Sequence, residues 1–455
     1  MQPSSSNNSN NNLSFATATL EKHVIRKLYL RLLPFLMLCY FIAYIDRVNV
    51  GFAALTMNQD IALSASIFGF AATLFFVAYV AFEIPSNIAM EKFGARRWIS
   101  RIMITWGIIG FCSAFVTGPI SFSLSRFLLG AAEAGFFPGV LLYLTLWFPK
   151  RYMAGIVAMF MVAIPLSNFF GAPLSALLLN LHGWLGFKGW QILLMLEALP
   201  AVVLGLLCLW ILPNRPQDAK WLTANEQQWL SQTLAQERLV QAQTTTHHHA
   251  LPHSAKQQLQ YAIRHPYFWL FAIVYAGSSA TSNILSLWMP QILKQHHLDT
   301  MQTAWLTMIP FGLSALFMVF WGLRANQVAN KRATIILPLL LTSISLFLGI
   351  FFESVTLSVL LFSLTLMGNY ALKGPFWSFV ASSMPPSVLA VTIAGINTLA
   401  HIGTGLINAS VGMIKDSSGS FAMSLLPLAL LTLTGAIIIA SIGRHTIALK
   451  SFNQE

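Results

Sequence analysis

The sequence predicts an all-α membrane protein of twelve transmembrane helices in two six-helix halves, and three observations carry that reading. First, 56% of the 455 residues are hydrophobic and 9% are charged, with a mean hydropathy of +0.67, whereas an ordinary soluble domain is about a quarter charged. Second, apolar runs recur along nearly the whole chain, each close to the roughly 20 residues of helix that cross a hydrocarbon core of about 30 Å. Third, the 26 Lys and Arg residues are sided. Arg47, Arg126 and Lys373 sit in the interior of predicted spans, and Lys188, Lys294 and Lys415 fall in loops on one side. The remaining twenty gather on the other. The positive-inside rule makes that side cytoplasmic, so both termini are expected there and the number of spans must be even.

The chain opens on "MQPSSSNNSNNNLS", an Asn/Ser tract with neither the charged start nor the apolar core of a signal peptide. Residues 1–28 are expected as a disordered cytoplasmic tail. Six spans follow near 29–51, 67–90, 98–117, 120–147, 153–180 and 188–212, and form an N-terminal half over 29–212. Residues 213–265 are polar and divide the chain as a cytoplasmic linker. Within them Thr223 and Glu226 have the spacing of a capping box. Trp229, Leu230 and Leu234 follow at helical spacing, which predicts a short amphipathic helix against the cytoplasmic face. The second six spans lie near 266–293, 301–323, 333–351, 355–382, 387–413 and 420–443, a C-terminal half over 266–443, and 444–455 is a cytoplasmic tail.

The net charge of +12 is explained by topology, which leaves nucleic acid without an argument. Cys39, Cys112 and Cys208 all fall in spans as small apolar residues, so no disulfide framework is implied. His247, His248, His249 and His253 read as a solvated low-complexity tract; no carboxylate or Cys joins them at metal-ligand spacing. No cofactor is expected, and no nucleophile–base or His-Glu-x-x-His spacing suggests an enzyme within the spans. Two halves joined by a linker suit a transporter with its substrate site near the midplane.

Few ionisable residues remain inside the membrane: Asp46, Arg47, Glu83, Arg126, Glu133, Glu197, Lys373 and His401. Asp, Lys or Arg at a helix centre costs roughly 2.5–3.5 kcal/mol on insertion scales, so these groups must face protein or water. Arg126 and Glu133, seven residues apart, share one helix face with Gly130 between them. Asp46 and Arg47, being adjacent, point about 100° apart. The assignment that follows pairs Asp46 with Arg126 and leaves Arg47 free for a ligand. The alternative is a static network of all four tying spans 1 and 4 together.

These residues carry a resemblance. "YIDRVNVGFA", "RFLLGAAEAGFFPGVLLYLTLWFP", "WLGFKGWQILLMLEALP" and "KGPFW" resemble the anion:cation symporter family of the major facilitator superfamily, which transports organic anions such as tartrate, phthalate, 4-hydroxyphenylacetate, hexuronates and aldonates. The match covers roughly residues 25–443 and is more specific in the first half. The loop "SNIAMEKFGARRW" is similar to the superfamily's loop motif, and "GLRANQVANKR" is its altered second copy. The resemblance implies the major facilitator fold, multi-pass in the cell (inner) membrane. It implies proton coupling at Asp46 and Glu133 and anion binding at Arg47 and Arg126. It also places Trp377, Asn397, Tyr44 and Tyr79 on the substrate cavity, where hydroxyl, amide and aromatic groups suit a hydroxylated or aromatic acid.

Lys373 either adds a second cation to the cavity, beside a helix break at Gly374-Pro375, or snorkels to the interface. His401 reads as a hydrogen-bonded packing residue, and Glu83 and Glu197 as partners of backbone freed by nearby Pro85 and Pro200. The expected function is proton-coupled uptake of a small organic carboxylate, by a monomer working with protons and the lipid bilayer. Export of a metabolite or drug is the alternative.

Overall fold

The computed structural model describes residues 6–247, 255–325, 327–328, 330–352 and 354–442. Within them every regular element is a helix, because backbone groups in lipid must be satisfied inside their own segment. The first six crossings are α1 (Ser6–Asp60), α2 (Ala65–Phe93), α3 (Ala95–Cys112), the consecutive pair α4 (Pro119–Glu133) and α5 (Phe136–Thr145), α6 (Lys150–Leu179) and α7 (Gly189–Ile211). The linker holds α8 (Ala224–His247) and α9 (Ala255–Arg264). The second six are α10 (Pro266–Lys294), α11 (Thr300–Ala325), α12 (Ala333–Leu348), the pair α13 (Val355–Ala371) and α14 (Lys373–Ser383), α15 (Pro386–Ser418), and α16 (Phe421–Ser424) running into α17 (Leu426–Ile442).

Ten of these segments are long and apolar enough to cross a membrane. The other two crossings are α12, which is short, and α15, whose Asn397 and His401 border the central cavity.

Two spans are interrupted where function would put a break. The fourth stops at Glu133 because Gly135 takes φ +84°, and a Cβ there would collide with the Ser86 side chain of α2. Gly130, one turn earlier, lets α4 rest directly on the Phe75 carbonyl of α2. The tenth span breaks at Leu372, next to Gly374-Pro375, as expected from a proline that cannot donate to the preceding turn.

One expectation is corrected here. Residues 6–28, read as part of a disordered tail, continue α1. Val24 and Leu28 are fully buried, and Glu21 accepts hydrogen bonds from Arg151 and from Tyr152 Oη. The i, i+4 apolar pair and the partly buried acid outweigh the polar composition upstream. Residues 248–254 and 443–455 lie outside the described residues, and with them His248, His249, His253 and the C-terminal tail. Among the described residues no group of three or more His, Cys, Asp or Glu could hold a metal ion.

At the head of α8 the capping box is present in both directions. The Thr223 N–H donates to Glu226 Oε2 (2.8 Å), and the Glu226 N–H donates to Thr223 Oγ1 (3.4 Å). Lys27 of α1 donates to the same carboxylate at 2.8 and 2.9 Å, and Leu230 and Leu234 are buried. Burial alone would raise the Glu226 pKa, but the Lys27 ammonium and the Thr223 N–H outweigh it and hold the carboxyl below its usual range. A depressed carboxyl contributes its stabilisation above the unfolded pKa and loses it as pH falls through the folded one. The docking of α8 on α1 is therefore expected to loosen in acid below about pH 4. Protease cleavage within α8 should rise there, and Glu226→Gln should show the same sensitivity already at neutral pH.

The two halves meet unequally. At the loop end, away from the linker, α2 lies against α15. Thr73 Oγ1 donates to the Gly405 carbonyl at 2.6 Å, and Asp416 accepts from the Ala65 and Ser66 N–H groups at 3.1 and 2.7 Å. A Cβ at Gly412 would collide with the Ala65 carbonyl. At the linker end the halves part around a cleft of about 650 Å³, bordered by Met159 and Val162 of α6, Met318 and Leu323 of α11, and Ser378 and Phe379 of α14. Closed at one end and cleft at the other is one limb of an alternating-access cycle. Gly412→Val is expected to shift the population away from this limb; faster maleimide labelling of a cysteine introduced at Thr73 would report it.

Candidate functional site

Near the middle of the bundle, Arg47 of α1 projects into the interface between the halves. Its Nη2 and Nε reach Glu133 Oε1 at 2.5 and 2.7 Å. Its guanidinium carbon lies 4.9, 5.6 and 5.5 Å from the ring centres of Tyr44, Phe75 and Tyr79. Arg47 thus sits in an aromatic collar that favours a cation, with its charge balanced by the last residue of α4.

Two cavities flank this side chain, of about 80 and 60 Å³, and Arg47 and Asn283 line both. The larger is walled by Tyr44, Tyr79 and Glu133 from the N-terminal half and by Lys373, Asn397 and His401 from the C-terminal half. The smaller is bordered by Asp46 and Arg126. The volume of the larger exceeds that of several ordered waters and falls short of the roughly 300–1,000 Å³ typical of drug-sized pockets.

Lys373 opens α14 and is buried. Its Nζ donates to Ser282 Oγ at 3.0 Å and lies 4.3 Å from the Tyr370 ring centre. Asn369 donates to the same Ser282 oxygen at 2.6 Å. No carboxylate lies within ion-pair distance of Lys373 among the described residues. The snorkelling alternative is thereby set aside, for the ammonium points into the bundle.

The expected pairing of Asp46 with Arg126 is corrected. Asp46 Oδ1 accepts from Asn49 Nδ2 at 3.0 Å, and Oδ2 accepts from Trp106 Nε1 of α3. Arg126 rests on the Phe122 ring at 5.5 Å, and its buried Nε has no hydrogen-bond partner. Arg47, expected to be free, holds Glu133. The 100° separation of residues 46 and 47 was legible, but not the rotation of α1 about its axis, which turns Asp46 back into the N-terminal half and Arg47 toward the interface.

Trp377 is also displaced from the expected lining. One turn beyond Lys373 on α14, it packs behind Tyr275, with ring centres 4.7 Å apart, and Tyr275 itself faces the cavity. His401, read as a packing residue, does face it; the ring lies 5.1 Å from that of Tyr79, and its buried Nδ1 has no partner. The polar wall supplied by α10 lies outside the lining expected from sequence. Its signal was present, because Tyr275, Ser279, Ser282 or Asn283, and Ser286 recur every three or four residues in "YAGSSATSNILS".

The comparisons agree with this architecture. The profile of the Major Facilitator Superfamily matches residues 36–407, and the chain belongs to that family. It is a multi-pass membrane transporter rather than an enzyme. A protein of Agrobacterium vitis named "Putative tartrate transporter" is 40% identical over 425 residues, covering 93% of this chain and 96% of that one. A "Quinolone resistance transporter" of Acinetobacter baumannii is 33% identical over 419 residues, covering 92% and 94%. Among solved structures, a bacterial homologue of the human lysosomal transporter Spinster, inward-facing and occupied, superposes with a TM-score of 0.73 at 14% identity, over 91% of this chain and 97% of that one. That last likeness concerns the fold alone.

Proposed function

We propose that the chain is a proton-coupled symporter that takes up small organic carboxylates across a bacterial inner membrane, as a monomer with both termini cytoplasmic. One observation carries the reading: two cations, Arg47 and Lys373, reach one small cavity from opposite halves, and the only carboxylate among its described lining residues is Glu133. Such a wall is electrostatically incomplete without an anion. The positive-inside rule then makes the linker end cytoplasmic and this conformation inward-facing. The small volume and the Ser, Tyr and Asn397 groups suit a hydroxylated acid, and the name of the 40%-identical relative is in keeping with that.

Glu133 supplies the coupling. While ionised it occupies Arg47. A proton on Glu133 removes that competitor, so a substrate carboxylate takes its place on Arg47 and the loaded site crosses the occluded state without an unpaired charge. Asp46, in the second cavity, is the other proton-binding carboxylate, and Arg126 provides the positive field between the two. Tyr44 and Tyr79 hold Arg47 in its collar.

The test is uptake by purified protein in liposomes, with acid outside and a panel of tartrate, sugar acids and aromatic acids. Accumulation of one of them above equilibrium supports the reading. No accumulation, together with gradient-driven release from preloaded vesicles, would establish export instead. Lys373→Met is expected to weaken a dicarboxylate at least tenfold and a monocarboxylate of similar size much less, as read by thermal shift with each ligand.

A further inference from the structure

Round the linker helix α9 the side chains fall into three stripes. Gln258 and Ala262, one turn apart, form the first; Ala262 is fully buried in the apolar core of the C-terminal half, and α9 packs on α15. About 100° further round come Leu259 and Ile263, which are apolar and each 41% exposed. A second step of the same size brings Gln260 and Arg264, both exposed. The order is therefore core, bare apolar surface, polar surface. Tyr261 closes the circle on the opposite flank, exposed, with its ring 6.5 Å from that of His265.

His265 alone separates α9 from α10. Its extended backbone (φ −81°, ψ 123°) ends one helix, and Pro266 opens the next at the position where a missing N–H costs nothing. Because α10 is long and apolar enough to cross a membrane, α9 leaves it at the boundary between hydrocarbon and water. Trp269 suits that level, since Trp is enriched at membrane–water interfaces. It is 48% exposed in the first turn of α10, and Ile273, one turn on, is exposed beside it. The Trp269 Nε1 donates to the Ile263 carbonyl at 2.8 Å, one of the last four carbonyls that a helix cannot satisfy by itself. The exposed apolar side of α10 thus runs directly into the apolar stripe of α9.

We propose that α9 is an in-plane helix docked on the phospholipid leaflet at the linker end, with Leu259 and Ile263 among the upper acyl chains and Arg264 among the head-group phosphates. Lipid is the occupant because the stripe continues the outer surface of a membrane-crossing helix. The stripe is also narrow: two side chains, with core on one side and Gln260 and Arg264 on the other. That is the layout of an interfacial helix, and far short of the roughly 800 Å² that each partner buries in a stable protein interface. The linker is then held at both ends, α8 to α1 through Lys27 and Glu226 and α9 to the C-terminal half and its leaflet.

Nitroxide labels on the purified protein in phospholipid nanodiscs test this. Cys112, the exposed native cysteine, is first removed as Cys112→Ala, while Cys39 and Cys208 are buried. Labels are then placed singly at Leu259→Cys, Gln260→Cys and Ile263→Cys. Relaxation by oxygen, which concentrates in lipid, is compared with relaxation by a water-soluble nickel chelate. The oxygen-to-nickel ratio should be severalfold higher for Leu259→Cys and Ile263→Cys than for Gln260→Cys. Free nickel access at all three positions overturns the proposal, because the stripe then lies in water. Protection of Leu259→Cys and Ile263→Cys from both reagents overturns it as well, since protein would cover the stripe. An equal oxygen preference at all three would submerge the helix and overturn its in-plane placement. Should Ile263→Cys not fold, Leu259→Cys carries the same comparison.

Discussion

Arg47→Lys is expected to lower substrate uptake at least tenfold while leaving a folded protein. The guanidinium presses two donors onto one Glu133 oxygen and lies against three aromatic rings, a planar fit that an ammonium cannot reproduce. A charged hydrogen bond is worth about 1.5–3 kcal/mol, or about one to two decades in affinity for the carboxylate that replaces Glu133. Arg47→Ala adds a second effect, because removing one partner of a buried pair costs about 3–5 kcal/mol, and that protein should melt early. The two causes separate in the double variant Arg47→Ala/Glu133→Gln. It should recover most of the melting temperature, since no buried anion is left unpaired, and still bind no substrate. Wild-type ligand stabilisation in the double variant would show that Arg47 is a structural partner of Glu133 and not the anion anchor.

Much of this architecture was legible because membrane insertion writes it in composition. Span number, the break at Lys373-Gly374-Pro375 and the Thr223–Glu226 cap all follow from rules that act within some twenty residues. The candidate site was legible as a set of residues, because an ionisable group in lipid needs a reason to be there, but not as a set of contacts. Arg47 and Glu133 are 86 residues apart, and nothing local states which of Asp46 and Arg47 faces α4. The pairing depends on the rotation of α1, which is fixed by distant packing. Asp46 is drawn back by Trp106, and Gly110 of α3 lets α7 approach, since a Cβ there would stand 3.1 Å from the Ala198 Cβ. Trp377 illustrates the same limit. Its residue type suited a cavity wall, yet the helical rise places it one turn beyond the cavity.

On the proposed cycle, the separation of the two acids would set a physical order. Glu133 borders the larger cavity together with Lys373 and Arg47, so its charge would compete directly with substrate there. Asp46 borders the smaller one with Arg126, beyond Arg47. A proton on Glu133 would then change which anion Arg47 holds, and a proton on Asp46 would change the field on Arg126.

Glu133→Gln should consequently abolish accumulation driven by a pH gradient while preserving both binding and exchange. The glutamine keeps the shape of the protonated acid, and its amide oxygen still accepts from Arg47, but it no longer competes as an anion. Substrate binding in the wild type should tighten as pH falls, because each proton taken up by Glu133 frees Arg47. In Glu133→Gln binding should already be tight at neutral pH and should lose most of that dependence. Asp46→Asn should likewise fail in gradient-driven uptake yet keep a pH-dependent affinity, since Glu133 is intact. A static four-residue scaffold predicts the reverse for both: Arg126 would lose a compensating charge in an apolar setting, at a cost of several kcal/mol, and the proteins would be recovered poorly or melt early. Melting temperature in detergent, ligand affinity at two pH values and gradient-free counterflow, all on one preparation, distinguish the cases. Normal gradient-driven accumulation by Glu133→Gln would move the coupling proton elsewhere, and His401, which faces the same cavity with a free buried nitrogen, would be the next group to substitute.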